Sequence, residues 1–497
     1  MAEEVYLAVD MGASGGRVLA GLLDGRRLRL EEVHRFENGA IAAAGGLYWD
    51  VLGLWGQITH GLRAAGAKYG DRVKSVGVDT WGVDFALLGR GDVLLENPHS
   101  YRDPRADGML KRALAHVPRE EIFAKTGAQF LEINTLYQLL ALSEQNSPLL
   151  EMAESFLMMP DLFHWLLTGV KANEYTNATT TQFYNPVKRR WATGLLGQLG
   201  VPSHFLGEIA DPGTNLGKLR PQVAADTGLA NASVVLPGTH DTASAVMAVP
   251  ARGTPCDKPD WCYISSGTWS LMGAELPNPV VTEKCMQLSF TNEGGVGHRT
   301  RLLKNIVGLW LVQECRRIWK LAGKTFSWDD LTGMAAAAPQ LASLVNPDDA
   351  TLMAPRDMPA AIRELCKRTG QSVPQDEGAV IRTTIESLAL RYRQVLVSLE
   401  ELTGGQVKTI HVVGGGTQNR QLCQATADAC QRPVVAGPVE ATAIGNVMAQ
   451  AVAAGAVGSI EEAREVVRES FPVEQYEPRE GGAWADAAGR FEAITRA

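Results

Sequence analysis

The 497-residue chain has no close pair of cysteines. Its seven cysteines stand at 256, 262, 285, 315, 366, 423 and 430, an odd and scattered set that excludes a paired-thiol zinc clamp and a disulfide framework. Reduced, mostly buried thiols are expected instead. Basic charge is also short, because 47 Lys and Arg against 55 Asp and Glu leave a formal net charge of −8. Such a chain carries no overall field to draw in nucleic acid or an anionic membrane, and neither is expected as a partner. The opening residues Met1-Ala2-Glu3-Glu4 are acidic and no signal-type apolar core follows them, which points to a cytoplasmic location. The longest uncharged stretch, 441–460, matches a membrane span in length. It contains Thr442, Asn446, Gln450 and Ser459, and so reads as a buried helix and a turn. The glycosylation triplets at Asn177 and Asn231 then lack a secretory context and read as chance.

Several catalytic signatures are missing as well. No HExxH occurs, which counts against zinc hydrolases. Gly323-Lys324-Thr325 looks like the end of a P-loop, but Ile318 stands where that loop needs its first glycine. The phosphate cradle cannot form there, and the segment reads as a helix terminus.

What is present is an ordinary globular composition, 45% hydrophobic and 21% charged, enough for two to three domains. Residues 5–9 are an apolar run ending at Asp10; Gly12, Ala13, Ser14, Gly15 and Gly16 follow, and 18–22 are apolar again. This is strand, tight turn, strand. Helical spacing is expected over 51–68, 136–142, 156–167, 305–321, 377–402 and 419–430, with strands over 76–79, 234–236 and 409–413. The Pro- and Gly-rich stretch 250–259 marks a domain boundary, giving domains of 1–248 and 249–497. Beyond it the opening pattern returns: 261–264 apolar, Ser265-Ser266-Gly267-Thr268 small, 269–272 apolar. That suggests a duplicated unit, although any hairpin reads in the same way. Alternating strands and helices imply an α/β architecture, with ligands gathered at the carboxyl ends of strands.

Four segments can carry chemistry. Asp10 with Gly12, Ser14, Gly15 and Gly16 can bring backbone N–H groups near a phosphate while its carboxylate holds Mg2+ through water, and Arg17 adds charge; the same residues also suit a plain glycine hairpin. In Gly238-Thr239-His240-Asp241-Thr242, a carboxylate at a strand-to-helix junction is placed to accept a proton from a substrate hydroxyl. The alternative is that Asp241 or Thr242 only caps the helix. Asp241 is preferred to His240 as base, since a weak base suffices when proton transfer comes late in a loose phosphoryl-transfer transition state. Ser266-Gly267-Thr268 and Gly414-Gly415-Gly416 allow close backbone approach to a nucleotide, as they would to any helix cap or turn.

Taken together these motifs resemble the FGGY carbohydrate kinases, from Asp10 to about Gly455. The stretches 79–85 (Asp-Thr-Trp-Gly-Val-Asp-Phe), 100–103, 133–139, 238–242 and 303–310 carry the resemblance most specifically. It implies two ribonuclease-H-like domains, as in actin, hexokinase and Hsp70, with an inter-domain cleft. The N-terminal domain would take the sugar and the C-terminal domain the nucleotide. It further implies ATP-dependent phosphorylation of L-rhamnulose on its 1-hydroxyl, with Asp241 as general base and Gly82, His240, Thr242 and Asn305 around the ketose. ATP would lie against Ala13, Ser14, Gly15, Gly16, Arg17, Thr268, Gln313 and Gly415 or Gly416, and Asp10 would help to hold Mg2+. Gly15 replaces a serine usual in the closest-looking branch, which removes a hydroxyl but keeps the backbone donor, and the loop 294–301 with His298 does not align with that branch. Two alternatives follow: a kinase of the same family for another ketose such as L-fuculose or D-xylulose, or an actin- or Hsp70-like nucleotide-driven binding protein.

Overall fold

The computed structural model describes residues 3–353, 355–479 and 481–496. Met1 and Ala2, the start of the acidic opening, lie outside the described residues. The chain divides into two compact units: Met1–Pro255 with Glu275–Leu302 and Ala441–Phe471, and Cys256–Ala274 with Leu303–Glu440 and Pro472–Ala497. The grouping is not a single cut along the chain.

In the first unit, β1 (Glu4–Gly12), β2 (Gly15–Leu23) and β3 (Leu28–Glu37) form an antiparallel meander. β4 (Val73–Thr80) lies parallel to β1; β6 (Ser233–Val235) lies parallel to β4, with β5 (Asn215–Lys218) antiparallel outside it. The order is β5-β6-β4-β1-β2-β3. Val5, Tyr6, Leu7, Ala8 and Val9 are fully buried, so β1 is apolar on both faces, as a central strand covered by helices must be. The edge strand β3 carries Arg29, Glu31, Glu32 and Arg35, charges that discourage pairing with another chain.

Several helices cover this sheet, among them Val51–Tyr69, Met159–Thr168 and Ala441–Ala453. The Val51–Tyr69 helix is capped by Asp50, which accepts from Gly53 N, and stops at Gly70, whose φ of +54° suits glycine. Its buried residues Val51, Leu54, Ile58, Leu62, Ala65 and Tyr69 recur every three or four positions, one helical face. The Ala441–Ala453 helix, the stretch with the length of a membrane span, packs on β1 and β4 instead. It sits so close to β2 that a Cβ on Gly21 would stand 2.5 Å from Val447. Among the described residues no helix is long and apolar enough to cross a membrane.

The second unit repeats the plan. β7 (Trp261–Ser266) pairs antiparallel with β8 (Trp269–Leu276), beside which runs β9 (Thr300–Val307). β10 (Thr409–Val413) is parallel to β7 and β11 (Val434–Ala436) to β10, and β12 (Glu474–Tyr476) is antiparallel outside β11. The order β12-β11-β10-β7-β8-β9 matches that of the first unit over six strands, with a seventh, Thr291–Gly294, added beyond β9, and it supports the duplication suggested by the turns. One difference stands out: the outermost strand precedes its neighbour in sequence in the first unit and follows it in the second. The fold is α/β, built twice on the ribonuclease-H-like plan.

Two expected helices begin later than their spacing suggests. Residues 155–158 form a strand whose Phe156, Leu157 and Met158 pair with Leu87, Ala86 and Phe85, and the helix is Met159–Thr168. Likewise Asn305 lies on β9 and the helix is Trp310–Leu321. Both are short apolar runs, in which strand and helix share one hydrophobic pattern and sheet pairing decides. The seven cysteines are free thiols, six of them buried and only Cys256 exposed. Gly323 follows a helix end with φ +82°, as read for the false P-loop.

Candidate active site

The carboxyl ends of β1 and β4 place two aspartates side by side, because Asp10 is the register partner of Asp79. Asp10 is buried and receives Arg17 Nη2 at 2.7 Å. Asp79 is fully buried; its Oδ2 accepts from Asn446 Nδ2 at 2.5 Å, while its Oδ1 has no partner among the described residues. Burial, and next the charge of Asp10, hold the Asp79 carboxyl well above the usual range, with Asn446 acting the other way and Asp241 adding to the rise. Asn446 is itself held by Gln450 Nε2 (2.7 Å), whose Oε1 accepts from Ser75 Oγ at 2.6 Å. A buried polar row thus runs from β4 through the Ala441–Ala453 helix.

Ala13 and Ser14 form the two-residue turn between Gly12 and Gly15, so the hairpin reading holds. It does not compete with a phosphate role, since Ser14 at the tip is exposed. Gly16 is needed for packing: a Cβ there would come within 2.3 Å of the Phe36 ring.

The segment 239–242 is clamped from below. Glu174 Oε2 accepts from Thr239 N (3.1 Å), Thr239 Oγ1 (2.6 Å) and Thr176 Oγ1 (2.6 Å), and Thr176 Oγ1 accepts in turn from His240 N at 3.1 Å. His240 is the N-cap of the Asp241–Met247 helix but makes no side-chain capping bond, and Asp241 is the first helical residue. Asp241 nonetheless satisfies one backbone N–H of the first helical turn, so part of the capping reading stands beside the catalytic one. Asp241 Oδ1 accepts from Thr242 N (2.6 Å) and Thr242 Oγ1 (3.2 Å), and His240 Nε2 lies 3.4 Å away. Oδ2 has no hydrogen-bond partner among the described residues. The side chain is 31% exposed, yet burial of the carboxyl raises its pKa above the ordinary value, with His240 and Thr242 opposing. An anchored, reachable carboxylate of raised basicity is what a general base needs.

Next to this segment, Gly82 lies in a tight loop where a Cβ would meet Thr180 at 3.0 Å, and Val83 adopts φ +67°. Asp84 supports the loop: its Oδ2 accepts from Trp49 Nε1 (2.6 Å), Trp81 Nε1 (2.9 Å) and Tyr101 N (3.1 Å), and its Oδ1 from Gln138 Nε2 (3.0 Å). Burial pushes this carboxyl up to about 6 despite four donors.

The second unit holds a cavity of about 940 Å3 lined by Gly267, Gln313, Trp328, Ile381, Gly415, Gly416 and Val439. Thr268 Oγ1 donates to Gln313 Oε1 at 3.3 Å, so these two expected residues meet. The glycines differ: a Cβ on Gly416 would strike Ser266 Oγ at 2.0 Å, whereas one on Gly415 would have open space around it. Asn305 belongs to this unit, on β9.

Residues 5–248 match the N-terminal domain, and residues 262–454 the C-terminal domain, of the FGGY family of carbohydrate kinases. The chain belongs to that family. Rhamnulokinases of Bacteroides thetaiotaomicron and Bacillus subtilis are similar to this FGGY kinase, at 43% identity over 99% of both chains and 36% over 96% of both. Its fold is similar to that of a xylulose kinase from Lactobacillus acidophilus (TM-score 0.81, 17% identity, 99% and 97% covered). A glycerol kinase from Plasmodium falciparum, solved with ADP, gives a TM-score of 0.77 at 15% identity with 100% and 98% covered. The chain is a sugar phosphotransferase, and its family implies ATP used with a divalent metal.

The residues at the strand ends fit such a metal. Asp10 and Asp79 stand in register, one carboxylate oxygen is buried without a partner, and a hard cation of this kind needs only one or two carboxylates besides phosphate and water. Among the described residues no group of three or more His, Cys, Asp or Glu makes a complete protein cage. Sequence reasoning singled out Asp10, Asp79 and Asp241, giving a role to the first and last and reading Asp79 only as a carboxylate that ends an apolar strand. It gave no sign of a role for Asn446, Glu174, Arg301 or Glu293.

Proposed function

We propose that this FGGY kinase transfers the γ-phosphoryl group of ATP to the 1-hydroxyl of L-rhamnulose. The observation that carries the reaction is the state of Asp241: Oδ1 is tied down by Thr242, and Oδ2 is open to take a hydroxyl proton. The sugar assignment rests on the likeness to curated rhamnulokinases along the whole chain.

In this reading residues 1–248 bind sugar and residues 249–497 bind nucleotide. Gly82, His240, Thr242 and Asn305 orient the ketose so that its hydroxyl meets Asp241 Oδ2. Asp241 takes the proton as the oxygen–phosphorus bond forms; in a loose transition state this transfer is late, and a carboxylate is basic enough. Thr268, Gln313 and Gly415, which line or border the open cavity, receive the nucleotide, with Gly416 shaping the wall. Backbone N–H groups of 13–16 and Arg17 hold phosphate oxygens. Asp10, with Asp79 beside it, holds Mg2+, which when bound neutralises phosphate charge. Positioning and charge compensation supply most of the acceleration. ATP as co-substrate fits a cytoplasmic location.

The test is ADP release from ATP and Mg2+ with L-rhamnulose, L-fuculose, D-xylulose or glycerol, beside a no-sugar control. The greatest stimulation is expected with L-rhamnulose. Another preferred sugar would revise the substrate and keep the chemistry. ATP hydrolysis that no sugar stimulates would favour the nucleotide-driven binding protein.

A further inference from the structure

Arg301 is fully buried in the first unit, and its guanidinium is spent on three groups around His240. Nε donates to Gly294 O at 2.7 Å; Nη2 donates to His240 Nδ1 at 3.0 Å and to Glu293 Oε2 at 3.1 Å. Glu293 Oε2 also lies 3.3 Å from His240 Nδ1. Two groups of opposite demand therefore meet one ring nitrogen: a carboxylate asks Nδ1 to carry a proton, a guanidinium asks it to carry a lone pair. A guanidinium has donors only and keeps its charge in proteins. Towards the guanidinium Nδ1 can only accept, an arrangement that would leave the ring proton on Nε2. That nitrogen is the one 3.4 Å from Asp241 Oδ1.

We propose that Arg301 is a positioning residue that fixes His240 as the Nε2–H tautomer, so that His240 presents a donor to Asp241 Oδ1 and leaves Oδ2 as the proton-accepting oxygen. Glu293 balances the buried guanidinium charge, and Thr176 Oγ1, accepting from His240 N, fixes the backbone beneath the ring. With the opposite tautomer a nitrogen lone pair would face the carboxylate. The base would then lose the Nε2–H that stands 3.4 Å from Oδ1 and keep only the two Thr242 donors. The proposal rests on the reading of Asp241 as the base.

The tautomer is read directly from two-bond 1H–15N correlations of histidine-labelled full-length protein, with His240 assigned by its loss in His240→Asn. The expected result is Nε2–H in the wild type. In Arg301→Met, Nδ1 should gain the proton and donate to Glu293, and kcat should fall roughly 10–100-fold, the usual cost of losing an outer hydrogen-bond partner, with KM for ATP unchanged. Arg301→Lys, which keeps a charged donor, should retain the wild-type tautomer and most of kcat. Should Arg301→Met fail to fold because the buried Glu293 loses the guanidinium charge beside it, Arg301→Met/Glu293→Gln removes both charges; its amide can donate to Nδ1 and should restore Nε2–H. A wild-type Nδ1–H tautomer, or an unchanged tautomer in Arg301→Met, overturns the proposal. Because the spectrum needs no turnover, it is separable from failure of the base assignment, which shows instead as near-normal turnover in Asp241→Asn.

Discussion

At the scale of single residues, Asp241 and Asp84 make opposite use of burial. Asp241 keeps one oxygen open, so Asp241→Asn should leave fold and nucleotide affinity intact and lower kcat roughly 10²–10⁴-fold. A base acts when ionised, and burial raises this carboxyl, so the acid limb of kcat/KM should lie above the ordinary aspartate value of about 3.9. A limb at or below that value would contradict the assignment. Asp84 has no open oxygen, and its ionisation is a cost to the fold. Its pKa of about 6 is raised above the unfolded value, so the stability it contributes is complete below pH 4 and is lost as pH rises through 6. Wild type should therefore weaken relative to Asp84→Asn by on the order of 3 kcal/mol between pH 4 and 7, measured by urea unfolding. Parallel pH curves for the two proteins would refute that cost.

At the scale of elements, the turns were easier to read than the partners that hold them. The run 5–9, the turn at 13–14 and the carboxylate that ends each central strand are local patterns, and each is where spacing places it. Residues 155–158 and 300–307 are strands because neighbouring strands claim them, which no local period records. Asn446 reaches Asp79 across 367 positions, and Arg301 reaches His240 across 61, so neither pairing leaves a mark within a sequence window. The glycine run at 414–416 shows how one motif divides its labour. Gly415→Ala has room and should fold normally while raising KM for ATP several-fold as it narrows the cavity. Gly416→Ala forces Ser266 aside and should cost roughly 1–3 kcal/mol in stability. Calorimetry and ATP kinetics on the two variants separate these outcomes, and equal stability loss in both would contradict the assignment.

At the scale of the whole molecule, two units of one topology have become unlike in chemistry: the first holds the three carboxylates, and the second holds the 940 Å3 cavity with few charges around it. Adenosine, which lacks phosphate, should accordingly slow amide hydrogen exchange at 267–268 and 415–419 and leave 13–17 unaffected, whereas ATP with Mg2+ should slow both. Protection of 13–17 by adenosine alone would count against this division. The return of the chain to the first unit at Ala441–Phe471 has a consequence for biosynthesis. The helix that shields β1 and β4 and hands Asn446 to Asp79 is made long after the strands it covers. At ordinary translation speeds the ribosome needs on the order of 10–40 s to travel from Pro255 to Ala441. For that interval the nascent first sheet lacks the main cover of one apolar face, with only the short Asp241–Met247 helix already made there, and this is the window in which a chaperone would matter most to the yield of this kinase.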